Sequence, residues 1–471
     1  TLRSTRRQRQ MCIRDRPEPL RAPATRPGEA TADPSATDGT DAPEGVAELA
    51  APVGSPSVEA GEPGDVTSMA PGVDPAGERP TAPDRDAAPP AARAQVATVT
   101  AESFPTLLTA RIATDDGGTW VRLSEGMPVV EGVNVVCAPT FRGKMESVEG
   151  VLLTMVGPTQ IRWTRHDGVL TLQVDFGRAL LAASEPDVSV NVMLADRAVR
   201  LQLPDVDTVV AVSARHLRLP GADPLVENNR TSLAGVLVVS GTATLESDAS
   251  TEMLVTGQQW IQRGDSEPLV STLDAIPEWI DPPDPNQSTL ESAARRGLIA
   301  ILPADQPLDL ALLEATGFRQ AEVAALAAQA LLFMGRVDVY FGGDGILSEP
   351  KQRAYWPDHY RALMEAYDQA AEMAGVISES VSDMDSANAA SILRLLTGYS
   401  QEQLEAGGDE ELVKLLDSPS MSVRVLALEN LRKITGTTLY FRAEQDNAVR
   451  RDPGIKKWEV RQRKGDIRWP Q

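Results

Sequence analysis

The residues best suited to chemistry are few. The chain holds three histidines, His166, His216 and His359, and two cysteines, Cys12 and Cys137. No histidine has a second histidine or a carboxylate at metal-ligand spacing such as His-x-x-x-His, which puts two zinc ligands on one helix face. His166 lies in "RHDGV", a turn signal, and reads as a solvated turn residue. His216 falls in an apparent strand and His359 in the first turn of an apparent helix. Cys137, in "GVNVVCAP", reads as a buried structural thiol. Two distant cysteines make neither a disulfide framework nor a clustered zinc site, so they do not fix the compartment. The sequence predicts no metal and no cofactor.

Other catalytic signatures are missing. There is no Gly-x-Ser-x-Gly elbow and no phosphate-binding Gly-x-x-x-x-Gly-Lys loop. "FGGDGIL" (Phe341–Leu347) clusters glycines without a following basic residue and reads as a loop. Asp338 and Asp344 flank it, and nothing in the sequence fixes their separation. Asp383 and Asp385 in "SDMDSAN" lack the twelve-residue calcium-loop pattern, and helix capping by Asp385 or Ser386 accounts for them. The expectation is a protein that is not an enzyme. An unrecognised hydrolase, with carboxylates brought together from distant segments, is the third reading.

The elements that would position these residues follow from composition. The 471 residues carry a net charge of −22, which opposes a nucleic-acid surface spread over the molecule. No run of 18 apolar residues occurs, and "AALAAQALLFMG" is too short to span a bilayer. Residues 1–16 hold six arginines, and "RRQRQMCIRDR" resembles a translated sequencing-adapter junction. They are expected to be a non-native or truncated end, with the chain a fragment. Residues 17–100 hold 15 of the 35 prolines, no aromatic residue, and 14 acidic residues against five arginines. Such a chain buries too little apolar area to offset its ordering entropy, so a disordered acidic linker is expected.

From residue 104 to 275 the pattern is β. Short apolar or alternating runs such as "TQIRWTR", "RAVRLQL" and "GVLVVSG" are separated by Gly and Asp turns, the mark of an antiparallel sandwich or roll. A Pro-rich joint, Ala275–Ser288, leads to a separate helical region over 288–436. Ser288 and Glu291 have capping-box spacing, Gly317 is placed to cap a helix end, and Pro357 suits a first helical turn. "QAEVAALAAQALLFMG" reads as a buried helix. "DEELVKLLDSPSMSVRVLALENLRKITG" resembles one HEAT or armadillo hairpin, with Arg424 on its second helix. Residues 437–471 form a basic tail with aromatic residues. Arg424, Trp458 and Trp469 are the candidate interaction surface. The fold class is thus α+β and multidomain.

The β block also resembles the FecR-type periplasmic domain of membrane-anchored sigma-factor regulators. "VLLTMVGPTQIRW", "GVLTLQVDFGRALLAA", "LAGVLVVSGTATLES" and "TEMLVTGQQWIQRG" follow that family's order over about residues 110–265. The matching positions are Gly157, Pro158, Gly177, Gly241 and Gly257, with Gly157-Pro158 as a strand-ending turn and Trp260 sealing the last strand. The resemblance implies an extracytoplasmic, non-enzymatic domain with a protein partner. It implies tethering by a missing N-terminal anchor at the periplasmic face of the inner membrane, and a role in envelope signalling, including regulation of a sigma factor. The alternative is a scaffold that binds a partner through the helical region.

Overall fold

The computed structural model describes residues 94–470 apart from 102–104, 114–117, 249, 283 and 285–288. The expectations for residues 1–16 and 17–93, Cys12 included, lie outside the described residues.

The β region begins with β1 (Gln95–Thr100), β2 (Leu108–Ile112), β3 (Thr119–Leu123), β4 (Pro128–Val130), β5 (Asn134–Cys137) and β6 (Arg142–Ser147). A long hairpin follows, β7 (Val151–His166) and β8 (Val169–Ala183). Then come β9 (Val188–Leu194), β10 (Arg197–Leu203), β11 (Val209–Arg218) and β12 (Arg230–Ser240). The last strands are β13 (Thr242–Ser247), β14 (Thr251–Val255), β15 (Gln258–Arg263) and β16 (Leu269–Thr272). The start differs from the sequence expectation. Strand β1 lies inside the stretch assigned to the linker, with Val96, Ala97 and Val99 buried. Its alternation is a core pattern that the surrounding Ala- and Pro-rich composition conceals.

The β7–β8 hairpin organises the sheet. One half of β7 pairs with β6 and the other with β5. Strand β8 pairs through Thr171–Val174 with β9 and through Gly177–Ala182 with β11. The β8–β9 pairing is parallel, so the sheet is mixed rather than wholly antiparallel. The hairpin changes partners at Gly157 and Gly177. A Cβ on Gly157 would sit 1.8 Å from the Ala138 carbonyl oxygen. Gly177 has φ +103°, and its Cβ would sit 2.5 Å from the Pro158 oxygen. Only glycine fits either place. The strand does not end at Gly157-Pro158 as expected: β7 continues through it across a cis peptide bond, with a shift in its register against β8.

The helical region comprises α1 (Leu290–Ile301), α2 (Leu308–Thr316), α3 (Ala321–Phe333), α4 (Trp356–Gln369) and α5 (Ala371–Met384). It continues with α6 (Ala389–Thr397), α7 (Gln401–Gln403), α8 (Asp409–Leu415), α9 (Met421–Thr435) and α10 (Ala448–Arg463). The first cap is shifted by one residue from the expected Ser288–Glu291 pair. The Thr289 hydroxyl accepts from Ser292 N at 3.0 Å, and Glu291 instead pairs with Arg295 one turn on. Helix α3 buries ten of its thirteen residues, as its all-round apolar sequence requires. Gly317 follows α2 and Pro357 sits in the first turn of α4.

Helices α1–α3 share one core with the strands: Leu298, Leu312, Val323 and Leu331 join Trp163, Leu172 and Trp260. A second core draws on the end of α3, on α4 to α6 and on α8 to α10, and reaches the sheet at Val136 and Phe176, where Phe176 meets Phe333 with ring centroids 5.6 Å apart. The helical region is therefore distinct in sequence and packed onto the sheet.

Candidate functional site

The sheet face turned away from the main core carries a hollow. Cross-strand register builds it in rows, because residues directly opposite in a sheet point to the same side. One row runs Arg178, Ser213, Gly235, Ile261 across β8, β11, β12 and β15. The row beside it runs Leu180, Ala211, Leu237, Gln259. Arg215 and Leu233 pair in the next row on the other side. Glycine, serine and alanine at the centre leave a groove of about 260 Å³.

Two other segments wall it. The joint after β16 folds back over the sheet, bringing Leu273, Pro277 and Trp279 to one side. Arg142 holds that turn in place, donating to the Trp279, Ile280 and Asp281 carbonyl oxygens, the last two at 3.2 and 2.7 Å. Ile280 packs onto Ala211 and Leu237. Helix α4 adds Glu365 to the lining.

Neither the Arg178 nor the Arg215 guanidinium makes an ion pair or hydrogen bond among the described residues. Arg178 lies over the Trp279 ring, 5.4 Å from its centroid. Partial desolvation against the sheet face lowers the Arg178 pKa although the side chain is exposed, opposed by Glu365 and assisted by Arg215. Burial also pushes the Glu365 carboxyl up, while Arg178, Arg215 and Arg361 pull it back. The three charges thus lie within one another's field.

The residues singled out from sequence lie elsewhere. His166 is not a turn residue as expected but the exposed last residue of β7, just before the turn at Asp167-Gly168. His216 borders a wider polar cleft of about 610 Å³ at the strand ends, where Arg197 pairs with Asp265 and Arg230 with Glu227. His359 is buried between Tyr340 and Gln352, each 3.3 Å away, and burial holds its pKa down to about 3. Cys137 is fully buried and its thiol is pushed up to about 12. Asp338 pairs with Arg336 at 2.9 Å rather than with Asp344. Asp385 accepts from the Asn388 side chain at 2.7 Å, just before α6. No cluster of three histidine, cysteine or acidic side chains fit to hold a metal occurs among the described residues.

The structure brings Gly157, Pro158 and Gly177 together at the hairpin bend. Gly241 turns β12 into β13 with φ +78°, and Gly257 turns β14 into β15 with φ +82°. Trp260 is fully buried in the core.

The candidate interaction surface requires correction. Arg424 and Trp458 are fully buried, and Trp469 is half-buried with its indole donating to the Tyr399 carbonyl oxygen at 2.9 Å. Arg424 donates to the Ser418, Pro419 and Ala443 oxygens and to Asp446. A charge that finds four acceptors on its own chain ties the α8–α9 hairpin to the C-terminal segment. It presents nothing to a partner.

Comparison with known proteins gives little more. No protein-family model matches the chain. No curated protein matches it either. Two solved structures are similar in part, each of a candidate anti-sigma factor from Parabacteroides distasonis, at 1.65 and 2.50 Å resolution. The first is 16% identical with a TM-score of 0.22, the second 15% identical with a TM-score of 0.23. Each match covers 30% of this chain and 60% of the other, so this chain spans less than two thirds of their length. At these scores the likeness carries no argument about function.

What the groove offers is recognition: unpaired guanidiniums, an aromatic wall and a small-residue floor. Arg178, Arg215, Gly235, Trp279 and Glu365 escaped the sequence reading. One signal was present, since a glycine inside the apolar run "LAGVLVV" marks either a bulge or a close approach. The rest comes from cross-strand register, which no local pattern contains.

Proposed function

We propose that this is a non-enzymatic, FecR-like extracytoplasmic protein that acts in envelope signalling by binding a protein partner. In the full-length form it is held at the periplasmic face of the inner membrane, and regulation of a sigma factor is the form of signalling the resemblance implies. The strand-and-glycine order of the β region supports the FecR-like reading. The observation that carries partner binding is the hollow at Gly235, walled by Arg178, Arg215, Glu365 and Trp279 on a rigid sheet. Binding groups held on a rigid scaffold need no titratable catalyst.

A photo-crosslinking residue placed at Gln259, inside the groove, tests this in the native host. One discrete envelope protein, identified by mass spectrometry, should crosslink there and not from the exposed edge position Met253. Equal, diffuse crosslinking from both positions, or recovery of the protein in the cytoplasmic fraction, contradicts the reading.

A further inference from the structure

The groove's chemistry narrows its occupant, given the partner-binding reading. Arg178 and Arg215 present donors that no described residue takes up, in a chain whose net charge is −22. Each guanidinium has five N–H donors in a planar fork suited to carboxylate. An unpaired arginine pair on a strongly acidic protein is a local exception, and it complements an acidic ligand. The volume, about 260 Å³, admits a side chain or two and not a folded element. The groove also has apolar lining, Leu237, Leu273 and Trp279, with Trp279 directly beside Arg178. Glu365, in the lining, supplies an acceptor for a main-chain N–H.

We propose that the groove receives an extended acidic segment of a protein partner, one carboxylate side chain seated between Arg178 and Arg215 and an apolar neighbour against Trp279. Alternate side chains of an extended chain lie roughly 7 Å apart on one face, so one segment serves both subsites. Gly235 keeps the floor low enough for the segment to lie across β11 and β12.

Fluorescence polarisation with the intact chain tests this. The probe is a fluorescein-labelled octapeptide alternating leucine and glutamate, with a glutamine-for-glutamate peptide as its counterpart. The acidic peptide should bind, more weakly as salt rises, and Arg178→Gln with Arg215→Gln should weaken it roughly tenfold or more. Both arginines are exposed, so an unchanged melting temperature shows that the variant is folded. Trp279→Ala should weaken both peptides. Equal binding of the two peptides, no binding by either, or no effect of the arginine substitutions overturns the proposal. Free glutamate competing as well as the peptide overturns it too, by pointing to a small-molecule carboxylate. Crosslinks from Gln259 that survive the arginine substitutions would sink the acidic-segment assignment while leaving partner binding intact.

Discussion

At the scale of single residues, glycines and buried arginines hold the geometry. Gly177 combines φ +103° with backbone 2.5 Å from any added Cβ, so neither rotation nor a rotamer change relieves the clash. Gly177→Ala should destabilise by about 3 kcal/mol in chemical denaturation. Gly257, with φ +82° and open space around it, should lose only about 1 kcal/mol on the same change. Equal losses would show that packing at the hairpin bend does not matter. Arg424 offers a second comparison. Its fork reaches the Ser418 and Pro419 carbonyl oxygens in the turn and that of Ala443 on the C-terminal segment. Lysine has a point charge in place of the fork, so Arg424→Lys should still cost about 2–3 kcal/mol by thermal melts. A lysine variant as stable as the parent would reduce the site to simple charge.

At the scale of elements, the joint after β16 is the decisive piece. Without it the hollow at Gly235 would be an open sheet face. Its position depends on Arg142, whose side chain collects three consecutive carbonyl oxygens from Trp279 to Asp281. Arg142→Ala should release this turn, and limited proteolysis should then cut between β16 and α1 while the β region stays intact. Cleavage as slow as in the parent would show that Ile280 packing alone fixes the turn. The sequence announced this segment only as a Pro-rich joint. Strands such as β9 and β10 were legible because alternation records burial directly, and α3 because it is apolar all round. The Arg142 contact spans more than 130 residues and left no local trace. The same limit misplaced Arg424, since a charged residue on a helix gives no sign of acceptors brought from elsewhere.

At the scale of the whole molecule, two buried titrating groups set opposite pH limits on the helical core. Burial raises the Glu429 pKa from 4.5 to about 7, against the pull of Arg432 3.5 Å away. A carboxyl whose folded pKa is raised gives full stability below its unfolded pKa, and that stability is lost as pH rises through the folded value. Glu429→Gln should therefore raise stability by about 2–3 kcal/mol near pH 8 and change it little near pH 4. His359 works the other way: with its pKa lowered from 6.5 to about 3, its contribution is present above 6.5 and lost as pH falls toward 3. The melting temperature should peak between these limits, and Glu429→Gln should extend the plateau on the alkaline side. Identical pH profiles for parent and variant would contradict the assignment.

The helical region thereby serves the sheet: α1–α3 complete its core, and α4 brings Glu365 to the groove. This groove is the proposed meeting point with a partner. The most direct measurement fills the hollow from below with Gly235→Val and Ser213→Ala together, the second change removing the hydroxyl 2.7 Å from the new Cβ. Crosslinking yield from Gln259 is then compared with the parent at matched melting temperature. Loss of the crosslink is the predicted result. An undiminished yield of the same crosslinked product would contradict the account.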